Sequence, residues 1–336
     1  MNNKLLEVKN LKTYFETDQG TVKAVDGINF FIEKQKTVGI VGESGSGKTV
    51  TAQSIIQIMP WPGKIIDGEV LFYKNEKEII DLAKLDPKGK IIREIRGKEI
   101  GYIFQEPMTA LSPIHTVGSQ IIEAIRIHNS MLTKKEARKK AITLLKNVGI
   151  PSPEKKINDY TFQLSGGMRQ RVMIAMALSC NPKLLIADEP TTAIDVTLQA
   201  QIIKLLKDLQ KKYEMSILII THDLAVIAEM ADEVIVMYLG KIVESGTVFD
   251  IFDNPKHPYT KALLKSIPNK TSKKYLDTIK GMVPDAFSIP NGCEFEPRCE
   301  FSIKGKCNKY KPPIIEIKKG QFVRCFLYEK ACEENE

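Results

Sequence analysis

The sequence has no long hydrophobic run. Of its 336 residues 43% are hydrophobic and 27% charged, and no apolar stretch approaches the roughly 18 residues that a bilayer span needs. The opening MNNKLLEVKNLK alternates polar and apolar residues, so it lacks the apolar core of a secretory signal. We therefore expect a globular protein that is made and kept in the cytoplasm.

Cysteine is nearly absent from most of the chain. Cys180 is the single cysteine before residue 293, and its apolar helical context predicts a core residue. The other five lie in the last 44 residues, at Cys293, Cys299, Cys307, Cys325 and Cys332. In a reducing cytoplasm such clustering favours a metal or cluster site over disulfides.

Excess positive charge is also concentrated at the end of the chain. The net charge is +8, and residues 255–336 hold 16 Lys and Arg against 10 Asp and Glu. A basic segment of this kind can meet nucleic acid or anionic lipid, but a solvated lysine-rich surface is the commoner interpretation.

The apolar pattern predicts an α/β fold. Charged residues interrupt the first two strand-like runs of residues 5–42, which favours half-solvated antiparallel strands, whereas VGIVG, KLLIADEP and MSILIITHD have the apolar character of buried strands. Helical patterns between these strands imply a parallel sheet. DEVIVMYLGKIVESG predicts a hairpin that turns at Leu239-Gly240.

These patterns predict two domains. The first covers residues 1–254 and contains a helical insert at about 106–180, which is mostly helical from 116 onward. Beyond 254 the sequence is rich in Pro, Gly, Lys and Cys with little periodicity, so we expect residues 255–336 to form a small Cys-rich module.

A phosphate-binding motif follows the third strand. GESGSGKT, residues 42–49, fits G-x4-G-K-[ST] and sits between a strand and a helix. Its glycines let backbone N–H groups approach phosphates, and the helix N-terminus adds partial positive charge. Lys48 should reach the β- and γ-phosphates and Thr49 should bind Mg²⁺.

An acidic pair ends the strand KLLIADEP. Asp188 at the end of a buried strand can hold Mg²⁺ through water. Glu189 can polarise an attacking water as general base. The alternative, an acidic pair that merely begins a turn, is disfavoured by the phosphate loop upstream.

A second glycine-rich element is the most specific feature. Ser165-Gly166-Gly167 alone would indicate only a well-capped helix. Together with Gln105, Asp195 and His222, in that order along the chain, it resembles the ATP-binding subunit of ABC transporters over residues 5–250. The fold class implied is a P-loop ATPase with an antiparallel β subdomain, an inserted helical subdomain and the Cys-rich C-terminal module.

The resemblance implies that two such subunits face each other head to tail, each closing over the partner's ATP. The catalytic residues implied are Glu189, His222, Gln105 and Lys48. The residues implied to bind ATP are Phe15, Gly42, Glu43, Ser44, Gly45, Ser46, Gly47, Lys48, Thr49, Thr51, Gln105, Asp188 and His222, with Mg²⁺ held by Thr49, Gln105 and Asp188. The residues implied to act on the partner's ATP are Ser165, Gly166, Gly167, Gln170 and Asp195.

The adenine contact has two candidates. In this family an aromatic ring near the N-terminus stacks on adenine, and Phe15 fits by position, with Tyr14 as the alternative. A packed strand aromatic would give the same pattern.

Finer features resemble the ATPases of oligopeptide and dipeptide permeases. IFQEPMTALSP, NPKHPYTKALLKSIP and the cysteine pattern GCEFEPRC…C…RC carry that likeness. Four thiolates, Cys293, Cys299, Cys307 and Cys325, can bind a [4Fe–4S] cluster or Zn²⁺, and cysteines without metal or in disulfides are the remaining alternative. The absence of C-x2-C pairs and the family resemblance favour the iron–sulfur cluster, while Cys332 lies outside the pattern and is expected to be free.

The function implied is ATP hydrolysis that powers peptide import at the cytoplasmic face of the membrane. The implied partners are a second ATPase (a paralogue, or another copy of this chain), two permease subunits and an external peptide-binding protein. Nickel and antimicrobial-peptide transporters of the same subfamily remain alternatives. A non-transport ATPase that acts on nucleic acid is disfavoured, because the chain has one motif set and no heptad run between Gln105 and Ser165.

Overall fold

The structure, a computed structural model, describes residues 3–106, 110–192, 195–266 and 279–332, with the side chains of 330–332 excepted. Its strands are β1 Lys4–Thr17, β2 Gly20–Glu33, β3 Thr37–Val41, β4 Gly63–Tyr73, β5 Ile79–Asp81, β6 Ile100–Ile103, β7 Leu184–Asp188, β8 Ser216–Ile220, β9 Glu233–Tyr238, β10 Lys241–Thr247, β11 Ile314–Lys318 and β12 Gln321–Arg324. Its helices are α1 Lys48–Ile55, α2 Lys90–Ile95, α3 Val117–His128, α4 Lys134–Asn147, α5 Pro153–Lys156, α6 Gly166–Ala177, α7 Val196–Tyr213, α8 Leu224–Met230, α9 Val248–Asp253 and α10 Pro258–Lys265.

Residues 1–6, 32–36 and 72–220 form one compact unit. In it β6 pairs parallel with β7 and β7 pairs parallel with β8. All five residues of β7 and of β8 are buried, as the continuous apolar runs predict for strands covered on both faces. The parallel arrangement expected from the sequence is confirmed for these strands.

Helices α3, α4 and α6 of the same unit pack against one another. Their buried faces carry Ile121 and Ile125 on α3 and Ala141 and Leu145 on α4, spaced four residues apart as a helix requires. Thr133 and Glu136 form a capping box at the start of α4. The predicted helical character of 116–180 is thus confirmed, while residues 107–109 of the predicted insert lie outside the described residues.

Residues 7–31, 37–71 and 221–336 form the second unit. There β9 pairs parallel with β3 and antiparallel with β10. The hairpin turn falls at Leu239 and Gly240, with φ of 42° and 76°, and this pair of positive values suits a tight hairpin. The predicted hairpin is confirmed.

The C-terminal segment continues this sheet. β12 pairs antiparallel with β10, and β11 pairs antiparallel with β12. No local pattern predicts this pairing, because the segment has little periodicity and β12 lies far from β10 along the chain. None of the helices in the described part of the chain has the length and apolar character that a membrane span requires.

Candidate phosphate-binding sites

The first candidate site is the loop between β3 and α1. A Cβ on Gly42 would lie 2.2 Å from the carbonyl oxygen of Met237, and a Cβ on Gly47 would lie 2.2 Å from that of Ala24. Gly47 also has φ 99° and directly precedes α1. Both positions therefore require glycine, because a side chain would clash with a neighbouring backbone carbonyl. This close packing restricts the shape of the loop.

The ammonium of Lys48 lies inside the curve of this loop. The residue is 6% exposed, and its Nζ donates hydrogen bonds to the carbonyl oxygens of Gly42 at 2.7 Å and Glu43 at 2.8 Å. Ser44 and Gly45 are exposed at the tip of the loop, while Thr49 is half-buried. A cation set behind backbone N–H groups at a helix N-terminus is suited to a polyanion.

Ser46 of the loop and Thr51 of α1, both implied by the resemblance to bind ATP, are buried as well. Ser46 is 3% exposed, and Thr51 is fully buried with its hydroxyl donating to the Gly47 carbonyl oxygen at 2.9 Å. Thr51 therefore supports the loop from the α1 side, and its direct contact with nucleotide stays a prediction.

The two aromatic candidates on β1 have different contacts. Tyr14 donates its hydroxyl proton to Asp26 at 2.8 Å; burial first, and then this hydrogen bond, raises its pKa. Phe15 is half-buried and lies against Gly63, where an added Cβ would come within 2.6 Å of the ring. These contacts leave both rings as candidates, and the stacking of Phe15 on a base stays a prediction.

His222 is exposed at the turn before α8. The capping of α8 is done by its neighbour Asp223, which accepts from the Ala225 N–H at 2.8 Å. Asp223 therefore accounts for the capping of α8, and the catalytic role of His222 stays a prediction.

The second candidate site, in the other unit, is the end of β7. Asp188 is 2% exposed, and its Oδ2 accepts from the Tyr102 hydroxyl at 2.8 Å. Burial, with the nearby Asp188 charge, raises the pKa of Tyr102, so the phenol stays protonated and donates. The carboxylate is thereby fixed at the strand end, where an oxygen ligand can face Mg²⁺.

Glu189 occupies a strained and well-held position. Its φ of 45° is unusual for a residue with a side chain, and such strain clusters at active sites. Its Oε2 accepts from Gln105 Nε2 at 3.0 Å and from the Thr192 hydroxyl at 2.8 Å. The structure thus brings Gln105 and Glu189 together, 84 residues apart in sequence.

Thr192 and Tyr102 are the residues that sequence reasoning missed. A strand aromatic and a threonine within TTAID carry no chemical signal by themselves. Only their hydrogen bonds to Glu189 and Asp188 show that they orient the two carboxylates.

The third candidate site, also in this unit, is the N-terminus of α6. Ser165 caps the helix by accepting from the Met168 N–H at 3.3 Å. Gly166 is exposed, and an added Cβ there would meet nothing within 4 Å, whereas on Gly167 it would come within 2.6 Å of Leu198. Gly166 therefore leaves the surface open, and Gly167 allows Leu198 of α7 to pack closely against α6.

Asp195 lies beside Ser165 on the same concave surface. Asp195 caps α7 by accepting from the Leu198 N–H at 2.9 Å. The concavity, of about 520 Å³, is lined by Gly149, Pro151, Ser165, Gly166, Gly167, Met168, Arg171, Asp195 and Leu198. The N-terminus of α6, capped by a neutral serine, favours an anion at this surface, whereas that of α7 already carries the Asp195 carboxylate.

Gln170 does not belong to that surface. It is 2% exposed, and its Nε2 donates to the Pro190 carbonyl oxygen at 2.6 Å. Gln170 therefore links α6 to the turn that follows Glu189, and its predicted contact with a partner's nucleotide stays a prediction.

The four patterned cysteines, in the second unit, line one small cavity, together with His257, Phe295 and Phe326 among others. Each sulfur faces a backbone N–H, those of Phe295, Phe301, Ile303 and Leu327 for Cys293, Cys299, Cys307 and Cys325 respectively. Burial raises the pKa of Cys293 to about 12 and of Cys325 to about 11.

Across the described residues, no group of three or more His, Cys, Asp or Glu is arranged so that it could hold a metal ion. The structure therefore gathers the donors without forming a ligand set. The other two cysteines differ: Cys180 is half-buried, not fully buried as a core residue would be, and the Cys332 side chain lies outside the described residues.

Comparison with known proteins identifies two family regions. A family model described as ABC transporter matches residues 25–192. A second, described as oligopeptide/dipeptide transporter, C-terminal region, matches residues 243–307. The first match contains the loop at 42–49 and the motifs from Gln105 to Glu189, and the second contains three of the four patterned cysteines.

Full-length relatives agree with these matches. The chain is 51% identical over 328 residues to the oligopeptide transport ATP-binding protein AppD of Bacillus subtilis, covering 97% of each chain. It is 49% identical over 314 residues to the dipeptide transport ATP-binding protein DppD of Haemophilus influenzae, covering 93% of this chain and 92% of that one.

A solved structure gives a further likeness. The dimeric post-hydrolysis state of the ATP-binding cassette MJ0796, bound to ADP and Pi, has a TM-score of 0.63 and 28% identity, covering 72% of this chain and 98% of that one.

Proposed function

This chain belongs to the ABC transporter family, and from that membership we propose that it is the ATP-hydrolysing subunit of an importer of oligopeptides or dipeptides. Its fold is that of a P-loop ATPase with mixed α/β sheets. The observation that carries the chemistry is the pair of hydrogen bonds that Gln105 and Thr192 donate to one oxygen of Glu189.

Each residue has a role in this proposal. Lys48 and the backbone of the loop bind the phosphates of ATP, and Phe15 stacks on its adenine. Thr49, Asp188 and Gln105 hold Mg²⁺, which supplies charge neutralisation on the phosphates when it is bound. Glu189 takes the proton of the attacking water, and His222 holds the γ-phosphate.

We also propose that two ATPase chains pair head to tail. The support is the open concavity that Ser165 and Asp195 line, with the N-terminus of α6 beside it. This surface offers a γ-phosphate charge-assisted hydrogen bonds from a second chain. ATP then closes the pair and hydrolysis opens it. The dimeric state of the MJ0796 cassette is a property of that protein, and it is consistent with this arrangement.

The remaining partners follow from the relatives. Oligopeptide and dipeptide transport, named for AppD and DppD, require permease subunits in the membrane and an external peptide-binding protein. In this proposal the chain is peripheral at the cytoplasmic face, paired with a paralogous ATPase or with a second copy of itself. The cargo is bound by those other subunits and not by this chain.

Reconstituted transport tests this function. Proteoliposomes that carry the permease and this ATPase should take up a labelled tetrapeptide only with ATP and the peptide-binding protein present. Lys48→Ala should abolish uptake, because the phosphates lose their buried cation. Uptake that persists with Lys48→Ala, or hydrolysis that responds to Ni²⁺ and not to peptide, would contradict peptide import powered by this chain.

We further propose that Cys293, Cys299, Cys307 and Cys325 hold a [4Fe–4S] cluster, with Zn²⁺ as the alternative. The support is their common cavity and the backbone N–H that faces each sulfur, since hydrogen bonds to sulfur tune such clusters. The bound metal would replace the thiol protons.

Metal analysis of anaerobically purified protein tests the cluster. We expect about four iron atoms and four sulfides per chain, with the visible absorption of an iron–sulfur centre, and loss of both in Cys307→Ser. Cys180→Ser is the control, because Cys180 lies outside the pattern. One equivalent of zinc without iron would establish the alternative, and a metal-free protein would contradict both.

A further inference from the structure

An ion pair between a buried arginine and a half-buried glutamate joins the C-terminal segment to the phosphate-binding loop. The guanidinium of Arg298 grips the carboxylate of Glu43 at both oxygens, with Nη1–Oε2 at 2.6 Å and Nη2–Oε1 at 3.0 Å. Glu43 is the second residue of the GESGSGKT loop, and Arg298 directly precedes Cys299. Both residues belong to the same compact unit.

Arg298 is itself held rigidly. Its side chain is 4% exposed, its Nε donates to the Lys280 carbonyl oxygen at 3.1 Å, and its Nη1 lies 3.4 Å from the Tyr238 hydroxyl. The guanidinium also lies about 6 Å from the ring centroids of Tyr238 and Phe295. Because the guanidinium of Arg298 is held in one place and binds both carboxylate oxygens, it determines where the Glu43 carboxylate lies.

The backbone of Glu43 is anchored from the same side. Its N–H donates to the hydroxyl of Tyr259 at 2.8 Å, and Tyr259 is fully buried. The ring of Tyr259 packs against Tyr238 at 4.7 Å and Phe295 at 5.3 Å between centroids. Side chain and main chain of one loop residue are thus both held by residues from beyond position 254.

The anchored residue in turn positions the catalytic lysine. The carbonyl oxygen of Glu43 accepts from Lys48 Nζ at 2.8 Å and from the Ser46 N–H at 3.2 Å. Movement of Glu43 therefore moves the ammonium and the turn that cradle phosphate. An ion pair between two exposed side chains would constrain the loop only weakly. Because the arginine of this pair is buried, we expect the pair to restrict the position of the loop.

We propose that Arg298 is a positioning residue for nucleotide binding: through Glu43 it holds the phosphate-binding loop in its binding shape. The C-terminal segment then sets the affinity of this chain for ATP, in addition to any metal it carries. The inference rests on the proposed role of the loop in binding ATP.

Binding measurements on conservative variants test it. Arg298→Lys keeps the positive charge but cannot bind both carboxylate oxygens as the guanidinium does. Glu43→Gln keeps the shape of the side chain but loses its negative charge. Each should raise the Kd for MgATP roughly tenfold, measured by calorimetry in a Glu189→Gln background that prevents turnover. The double variant should be no weaker than either single variant, because both remove the same interaction.

Steady-state kinetics provide a second readout. With Glu189 intact, Arg298→Lys should raise KM for ATP and leave kcat nearly unchanged, since the loop is displaced only while it is empty. The matched control is Glu300→Gln, which breaks the exposed pair with Lys280 in the same segment and should leave Kd and KM as in the wild type.

The outcomes separate the two hypotheses. A variant that is partly unfolded lowers the number of sites and not their Kd, and a melting curve without nucleotide checks this. Folded Arg298→Lys and Glu43→Gln that bind MgATP with the wild-type Kd would overturn the inference alone, as would equal weakening by Glu300→Gln. A wild-type chain that does not bind MgATP would overturn the proposed function as well.

Discussion

Glu189→Gln is expected to slow ATP hydrolysis by roughly 100- to 10,000-fold, the usual contribution of a general base, while ATP binding persists. The amide has the shape of the carboxylate but cannot take a proton from water. Gln105 and Thr192 already hold Oε2 of Glu189, so the substitution changes the chemistry more than the geometry. Single-turnover hydrolysis and MgATP binding measure the two effects separately.

The same variant should trap the paired state, because ATP that is not hydrolysed continues to link the two chains. Size-exclusion chromatography with MgATP should show a stable pair for Glu189→Gln and a transient one for the wild type. Glu154→Gln, an exposed position on α5, is the control and should hydrolyse normally. Wild-type turnover by Glu189→Gln would show that another group is the base.

Ser165→Arg should lower turnover at the partner's site by about 100-fold or more, the loss typical when a donor to a developing oxyanion is removed. Ser165 and Gly166 are exposed on the concavity beside Asp195, so an arginine there fills the surface intended for phosphate. The measurement is ATPase rate in verified pairs that contain the variant.

Mixing two inactive variants distinguishes the head-to-tail arrangement from a site within one chain. In a mixed pair of Ser165→Arg and Lys48→Ala chains, one site has an intact loop from the first chain and an intact Ser165 from the second. That pair should regain turnover at one site, whereas each variant alone stays inactive. Thr133→Arg, which removes another exposed N-cap in the same unit, controls for helix capping. Verified mixed pairs that stay inactive would contradict the arrangement.

Local signals made much of the fold predictable. Leu239-Gly240 between two strand-like runs predicts the hairpin, because adjacent residues fix the turn. The buried strand KLLIADEP and the capped start of α6 at Ser165 are likewise visible in short windows, since apolar runs and capping residues act locally. Short sequence motifs also locate the phosphate loop. Its glycines at 42 and 47 are needed because the loop backbone passes close to Met237 and Ala24.

Contacts between distant segments could not be predicted in this way. The pairing of β12 with β10 joins Val323 to Glu244, and nothing in either segment specifies the other. The roles of Tyr102 and Thr192 become visible only from their hydrogen bonds to Asp188 and Glu189. The hydrogen bond from Gln170 to the Pro190 carbonyl oxygen was likewise not predictable from the sequence, and the contact of Gln170 with a partner's nucleotide stays a prediction.

The link between Glu43 and Arg298 has a consequence for how the protein matures. The two residues are 255 positions apart, and ribosomes add roughly 5 to 20 residues per second. The loop is therefore synthesised roughly 13 to 51 s before Arg298 is. A nascent or truncated chain that ends before residue 298 lacks this ion pair, so in our proposal it binds ATP more weakly than a chain that includes Arg298.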